Sequence, residues 1–336
     1  MNKALLSVAA LLACISLYGQ GAQGAAAAAA QAISDTPQAE KPAEKPQYWT
    51  KVAQTSFGFT NTTLKNWAAG GYNSLTFLAS VDASSNYKKD NTFWNNRLLL
   101  DYGFIHSADK PVAQKSNDRI NFESKWGKNI AEKLNFSATF NLRSQFSNSY
   151  KYNNPAVENP TRRDWIDSRV LQSGFFAPAY TDIGLGVDWM PTKWISINFS
   201  PLTGGFTVVR DESLRQKYGM PLKYEEVAKA PVDGSLYKGA RFEFGAKLQV
   251  DASAVINDVF SYKTQLKLFS DYLDKPQNLR TNWDNQIDWK LGKHLALTFK
   301  TFLIYDDKVR IEGARRIQFQ EYILLNFTHT FKPKGE

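Results

Sequence analysis

Apolar and polar residues alternate along most of this chain. In 75–87, Leu75, Phe77, Ala79, Val81, Ala83 and Tyr87 share one face, and Thr76, Ser80, Asp82, Ser84 and Asn86 share the other. In 134–146, Leu134, Phe136, Ala138, Phe140, Leu142 and Phe146 oppose Asn135, Ser137, Thr139, Asn141, Arg143 and Gln145. In 240–252, Phe242, Phe244, Ala246, Leu248 and Val250 oppose Arg241, Glu243, Lys247, Gln249 and Asp251. A period of two sustained over such lengths predicts strands with one apolar and one polar face. The pattern yields twelve runs: 52–63, 74–87, 92–106, 118–126, 133–146, 180–189, 194–200, 240–252, 259–272, 282–290, 295–305 and 316–331.

Two all-β architectures suit such runs, a two-sheet sandwich and a closed barrel. Sandwich strands average about five or six residues. Most runs here are nine to fourteen residues long, and a tilted membrane-spanning strand needs about 9 to 11. The connections alternate as well. Short links ("KKDN", "GKNIAE", "MPTK", "LGKH") separate longer ones at 107–117, 147–179, 201–239, 273–281 and 306–315. Barrels of the outer membrane have short periplasmic turns and longer outer loops. The expectation is a transmembrane antiparallel β-barrel of about twelve strands. Its apolar face meets lipid and its polar face lines the lumen.

The start of the chain reads differently. Lys3 and the apolar stretch 4–13 form a signal-peptide pattern, assigned to residues 1–24. Residues 25–49, rich in Ala, Pro, Glu and Lys, read as a disordered periplasmic tether. The barrel then occupies 50–336. The single cysteine, Cys14, is expected to leave with the signal. The alternative is that "LLAC" is a lipoprotein box and Cys14 is lipidated. No later stretch approaches eighteen consecutive apolar residues, so no transmembrane helix is predicted after the signal.

Composition adds detail. The mean hydropathy of −0.42 alone would suggest a soluble protein. Aromatic residues nevertheless make up 14% of the 336 residues. Trp94, Trp126, Trp189, Trp194, Trp283 and Trp289 fall near predicted strand ends, where a bilayer would place its interfacial girdles. Trp67 and Tyr72 flank the small run Ala68–Gly71 in the first outer connection and are expected at the same interface. Phe331 ends the last alternating run and resembles the C-terminal aromatic read by barrel-assembly machinery, although "KPKGE" follows it.

Three strings, "NWAAGGYNSL" (66–75), "FFAPAYTDIGLGVDW" (175–189) and "SPLTGGFTVVRD" (200–211), resemble a family of outer-membrane β-barrel proteins of unknown function from Bacteroidota-type Gram-negative bacteria. The resemblance spans roughly 50–331. It implies an outer-membrane location and a barrel, and it brings no reaction with it.

Catalytic chemistry is sparse. There are three histidines, His106, His294 and His329. By strand parity His294 and His329 fall on opposite faces, and no metal site or cofactor is expected. A lipid hydrolase centred on His106 is a distant alternative, since no G-x-S-x-G marks a partner serine. "GLG" at 184–186 lies inside an alternating run, so its glycines are read as relieving crowding or bending the sheet.

The inferred inward face carries Arg97, Arg119, Lys125, Arg143, Arg241, Lys247, Lys263, Lys267 and Lys290. Beside them stand Asp101, Glu123, Asp182, Asp188, Glu243, Asp251, Asp271, Asp284 and Asp288, nine of each sign. A selective ion pore is built around one dominant sign. A balanced set can pair internally, so a narrow or plugged lumen is expected. The net charge of +9 is spread among acidic residues without a basic stripe, which excludes nucleic acid as the partner class. The sharper reading of Arg162, Arg163, Arg210, Arg215, Lys217 and Lys223, in the two longest outer connections, is contact with lipopolysaccharide or a protein partner. A short helix is expected over 211–218. The functional expectation is a non-enzymatic envelope or assembly component, with a porin-like small-solute uptake channel as the alternative.

Overall fold

The computed structural model describes residues 47–62, 73–224, 233–311 and 313–331. The strands in chain order are β1 (Trp49–Thr62), β2 (Ser74–Lys89), β3 (Thr92–Ser107), β4 (Gln114–Ala131), β5 (Leu134–Ser144), β6 (Ser149–Tyr152), β7 (Arg169–Ser173), β8 (Ala179–Thr192), β9 (Ile195–Val208), β10 (Ala240–Val255), β11 (Phe260–Asp271), β12 (Leu279–Lys290), β13 (Leu295–Tyr305) and β14 (Gln318–Phe331). Twelve of them close a barrel in the order β1-β14-β13-β12-β11-β10-β9-β8-β5-β4-β3-β2, and β6 pairs with β7 alone. Every ladder of the barrel is antiparallel. All twelve predicted runs are barrel strands, and short and long connections alternate as expected.

The barrel is apolar outside and polar inside. Phe57, Phe77, Phe104, Phe136, Leu185, Phe199, Phe242 and Phe327 are exposed on its outer surface. Asp101, Ser137, Asp188, Asn198, Ser200 and Glu243 are buried within it. Exposed apolar surface on this scale is costly in water and favourable in hydrocarbon. A closed barrel also leaves no strand edge unpaired in lipid. These are the properties of a membrane-spanning barrel.

Some expectations were too short. The seventh run, read as 194–200, is strand β9 and continues to Val208. Pro201, Gly204 and Gly205 read as loop residues in the sequence. The strand accommodates them through a bulge: the register jumps from Leu185↔Leu202 to Val187↔Phe199 on one side, and from Gly245↔Thr203 to Lys247↔Ser200 on the other. Pro201 lacks an N–H and sits unpaired in that bulge. The following connection therefore begins at Val209. Its helix spans Glu212–Arg215, shorter than expected, with Asp211 as N-cap, and the turn after it reaches Gly219 at φ 64. The connection between β5 and β8 also holds structure that alternation did not predict. It contains the β6–β7 hairpin and a helix, Arg162–Asp167, closed by a capping box between Thr161 and Asp164.

Candidate functional site

The lumen is the site the fold builds. Many inward residues on β5, β8 and β9 are small, among them Ser137, Thr139, Gly184, Gly186 and Ser200, and the strands approach closely there. Gly186 has no side chain where one would meet Phe199 O at 2.0 Å. Asn198 of β9 therefore reaches across β8 and donates to Ser137 Oγ of β5 at 2.8 Å. The rest of the wall carries long charged side chains, and these close the centre.

At mid-height Arg119 of β4 donates to Asp101 of β3 at 2.6 Å and to Asp284 of β12 at 2.9 Å. In the barrel order five strands separate β4 from β12 in either direction. The second pair therefore spans the lumen from side to side. The Arg119 guanidinium also lies 4.8 Å from the ring centre of Phe302. Lys267 of β11 donates to Glu123 of β4 at 2.6 Å, another bridge between strands far apart in the ring. Gln265 joins this group through Glu123 at 3.3 Å and Asp251 at 2.7 Å. Lys247 bonds Asp182 and Thr139, and Lys125 bonds Asp188 at 2.9 Å.

Toward the long-loop end, Glu243 accepts from Arg280 at 2.5 Å and Lys308 at 3.1 Å and forms an ion pair with Arg241 at 3.3 Å. Arg280 also pairs with Asp306 at 3.1 Å, and Lys308 with Asp271 at 2.5 Å. Above this network the 209–239 connection packs a small apolar core of Ala177, Val209, Leu214, Met220 and Tyr237. Arg241 donates from below to the carbonyls of Tyr218 and Gly219, at 3.1 and 2.7 Å. Burial raises the pKa of the Tyr218 hydroxyl and lowers that of the Lys217 ammonium.

Two cavities lie within the lumen among the described residues. One is about 280 Å³, lies under the 209–239 connection and includes Arg119, Arg143, Tyr180, Lys247, Lys267 and Arg280 in its wall. The other is about 270 Å³, lies toward the short turns and includes Arg97, Glu123, Lys125, Thr139 and Asp251. Asn141 and Gln265 line both. The Glu123–Lys267 and Thr139–Lys247 contacts stand between them and form a septum.

The charged residues anticipated from parity occupy the inner wall at several levels. Arg241, Glu243 and Asp271 lie at the long-loop end and join the cap network. Asp288 accepts from Thr298 Oγ1 at 2.7 Å, and Lys290 is exposed at the short-turn mouth. Lys263 faces inward, opposite Gln286. Alternation also misses participants. Asp82 pairs bidentately with Arg97 at 2.7 and 2.9 Å. Arg280, Asp306 and Lys308 lie beyond the predicted run ends, and Lys300 is hidden in β13, where both faces are mostly apolar. Asp82 was readable, because it shares its face with Ser80 and Ser84.

Trp94, Trp126, Trp189, Trp194, Trp283, Trp289 and Phe331 are exposed on the outer surface. Trp67 and Tyr72 lie outside the described residues, as do the signal and nearly all of the tether. Two loop cations depart from the surface expected for them. Arg215 is bound to Val209 O at 3.3 Å, Tyr237 O at 3.2 Å and Glu212 at 3.0 Å. Lys217 donates to Gln172 Oε1 at 2.7 Å and to its carbonyl at 3.0 Å. Both hold the cap together, whereas Arg162, Arg163, Arg210 and Lys223 are exposed. The His294 and His329 rings stack at 5.8 Å, contrary to the parity argument, because His294 sits in a turn where strand parity does not apply. No group of three or more metal-ligating side chains forms among the described residues.

Comparison with solved structures finds similar barrels at very low identity. The translocator domain of the autotransporter NalP from Neisseria meningitidis is 9% identical, with a TM-score of 0.36 over 85% of this chain and 90% of that one. An outer membrane channel from Pseudomonas putida F1 is 10% identical, with a TM-score of 0.37 over 89% and 100%. The NanC porin is 8% identical, with a TM-score of 0.36 over 82% and 98%. No curated protein matches the sequence. Residues 59–150, from the end of β1 into β6, match a family described as "Protein of unknown function (DUF3078)", a match that takes in the string at 66–75 and stops short of those at 175–189 and 200–211.

Proposed function

We propose that this protein is a non-enzymatic outer-membrane barrel of a Bacteroidota-type Gram-negative bacterium, closed at rest, that contributes to envelope structure or to a membrane assembly. The observation that carries the reading is the set of ion pairs spanning the lumen, Arg119–Asp284 and Glu123–Lys267. Both close the lumen with opposite charges in contact. Such pairs are costly to separate inside a low-dielectric interior. The exposed cations Arg162, Arg163, Arg210 and Lys223 suit contact with anionic lipopolysaccharide or a partner protein at the long-loop end.

Planar-bilayer recording of the purified protein tests the closed state. The expected record has no conductance steps, and reproducible steps from the wild type would overturn the reading. Gentle detergent extraction followed by identification of co-purifying proteins tests the assembly role.

A small-solute channel is the second reading, supported by the two cavities on either side of the septum. In that case the Glu123–Lys267 contact is the gate. Lys267→Gln would then convert a silent barrel into a conducting one, and silence in a folded variant would count against it.

A further inference from the structure

The cavity under the cap holds one cation with a different environment from the others. Arg119, Lys247, Lys267 and Arg280 line it, and each contacts a carboxylate. Arg143 lines it too, and its one side-chain hydrogen bond among the described residues runs from Nη1 to the neutral Asn282 Oδ1 at 2.8 Å. Asp284, two residues along β12 from Asn282, is already engaged by Arg119. Next to Arg143 stands Tyr180, its register partner on β8. The Tyr180 hydroxyl has no hydrogen-bond partner among the described residues and also faces the cavity.

A guanidinium held inside a protein without a counter-ion is costly, and a carboxylate can satisfy it through two parallel hydrogen bonds. A neighbouring phenol supplies one more donor. Across the same cavity Phe269, Ile304 and Val309 supply apolar surface between the polar residues of the far wall. Its volume of about 280 Å³ suits a ligand of a few heavy atoms. Gln145 and Gln318, which stand at the long-loop rim, line it as well, so the cavity extends to the mouth.

We infer that this cavity is a binding site for a small monocarboxylate with an apolar body, its carboxylate held by Arg143 and Tyr180 and its body against Phe269 and Ile304. Arg143 forms no ion pair among the described residues, and Asp284, the acid that acts on it, is bonded to Arg119, so a single carboxylate matches it and a monoanion fits better than a dianion. The site does not depend on whether the lumen conducts.

Isothermal titration of the detergent-purified, folded barrel with butyrate, inorganic phosphate and butylamine tests the inference. Saturable butyrate binding is expected, with phosphate weaker and butylamine inert. Arg143→Gln is expected to weaken butyrate at least tenfold. Asn282→Asp supplies the missing carboxylate from within the protein and should weaken it as much, while adding an ion pair to the fold. Should Arg143→Gln fail to fold, Asn282→Asp decides alone. Absence of saturable butyrate binding by the wild type overturns the inference. Unchanged affinity in folded Asn282→Asp, or phosphate binding more tightly than butyrate, also overturns it.

Discussion

The two sides of the lumen are built on different rules. Along β5, β8 and β9 much of the inner wall is Ser137, Thr139, Ser200, Thr203 and glycines packed close together, with Arg143 and Tyr180 as the long exceptions beside the upper cavity. Around β3, β4, β11 and β12 the wall carries Arg97, Asp101, Arg119, Glu123, Lys267 and Asp284, which reach inward and meet one another. The first side is closed by backbone approach and the second by charge. A barrel of this strand number is too wide to be filled by ordinary side chains all round. The opposite walls are nevertheless within reach of arginine and lysine, as Arg119–Asp284 and Lys267–Glu123 demonstrate.

The comparison can be broken most severely at Gly186. A Cβ there would sit 2.0 Å from Phe199 O and 2.5 Å from the Ser200 Cα, and backbone clashes of this kind have no rotamer to relieve them. Gly186→Val is expected to yield no folded barrel, read as loss of the heat-modifiable band on electrophoresis. On the charged side the effect should be graded. Arg119→Ala leaves Asp101 buried and unpaired, and breaking such a pair costs about 3–5 kcal/mol. Urea unfolding followed by tryptophan fluorescence should show it, and Arg119→Met combined with Asp101→Leu should recover part of the loss. Equal effects from the glycine and arginine variants would sink the distinction.

Outside both walls, Leu185→Arg places a charge on the exposed face of β8 and should cost about 2–4 kcal/mol in lipid, as arginine does near a bilayer midplane. The smallest effect lies away from the barrel. Hydrogen bonds from the Thr161 side chain and backbone hold the Asp164 carboxyl below its ordinary range. A depressed carboxylate contributes stability that is present above its unfolded value and is lost as pH falls through its folded value. Trp165 fluorescence should therefore report loosening of the helix Arg162–Asp167 on acidification. Thr161→Ala should loosen it at neutral pH and move the acid transition upward.

The strands were legible because lipid and lumen impose opposite demands on alternate residues, and β10 satisfies both along its length, as β2 does except at Leu78. Legibility failed where one demand lapsed. β9 carries Pro201 at a bulge and Gly204 and Gly205 beyond it, so its upper half read as loop. β13 is apolar on both faces, so Lys300 did not announce its side. Parity assigned Arg119 and Asp284 to the inner wall, but no periodicity could reveal that they touch, since their contact depends on how the ring closes. The cap was illegible for a similar reason. Arg215 and Lys217 look like any surface cations until Val209, Leu214 and Met220 gather beside them. Arg143 looks like any inward cation in the sequence, because its lack of an ion pair depends on which strands the carboxylates reach across the ring.

The last joint of the ring has its own consequence. All but two neighbouring strand pairs of the barrel are consecutive in the chain; the exceptions are β5–β8, joined through the hairpin connection, and β1–β14. The β1–β2 ladder runs from Trp49↔Tyr87 to Thr62↔Ser74, whereas β1–β14 runs only from Ala53↔Phe331 to Phe59↔Leu325 among the described residues. Toward the long-loop end the two strands part, and Thr60 Oγ1 reaches across to Ile323 O at 2.8 Å. Such a joint must form after everything else, because it joins the most distant parts of the sequence and loop closure grows costlier with separation. Until those ends meet, β1 and β14 are open edges whose unpaired N–H and C=O groups are costly in lipid.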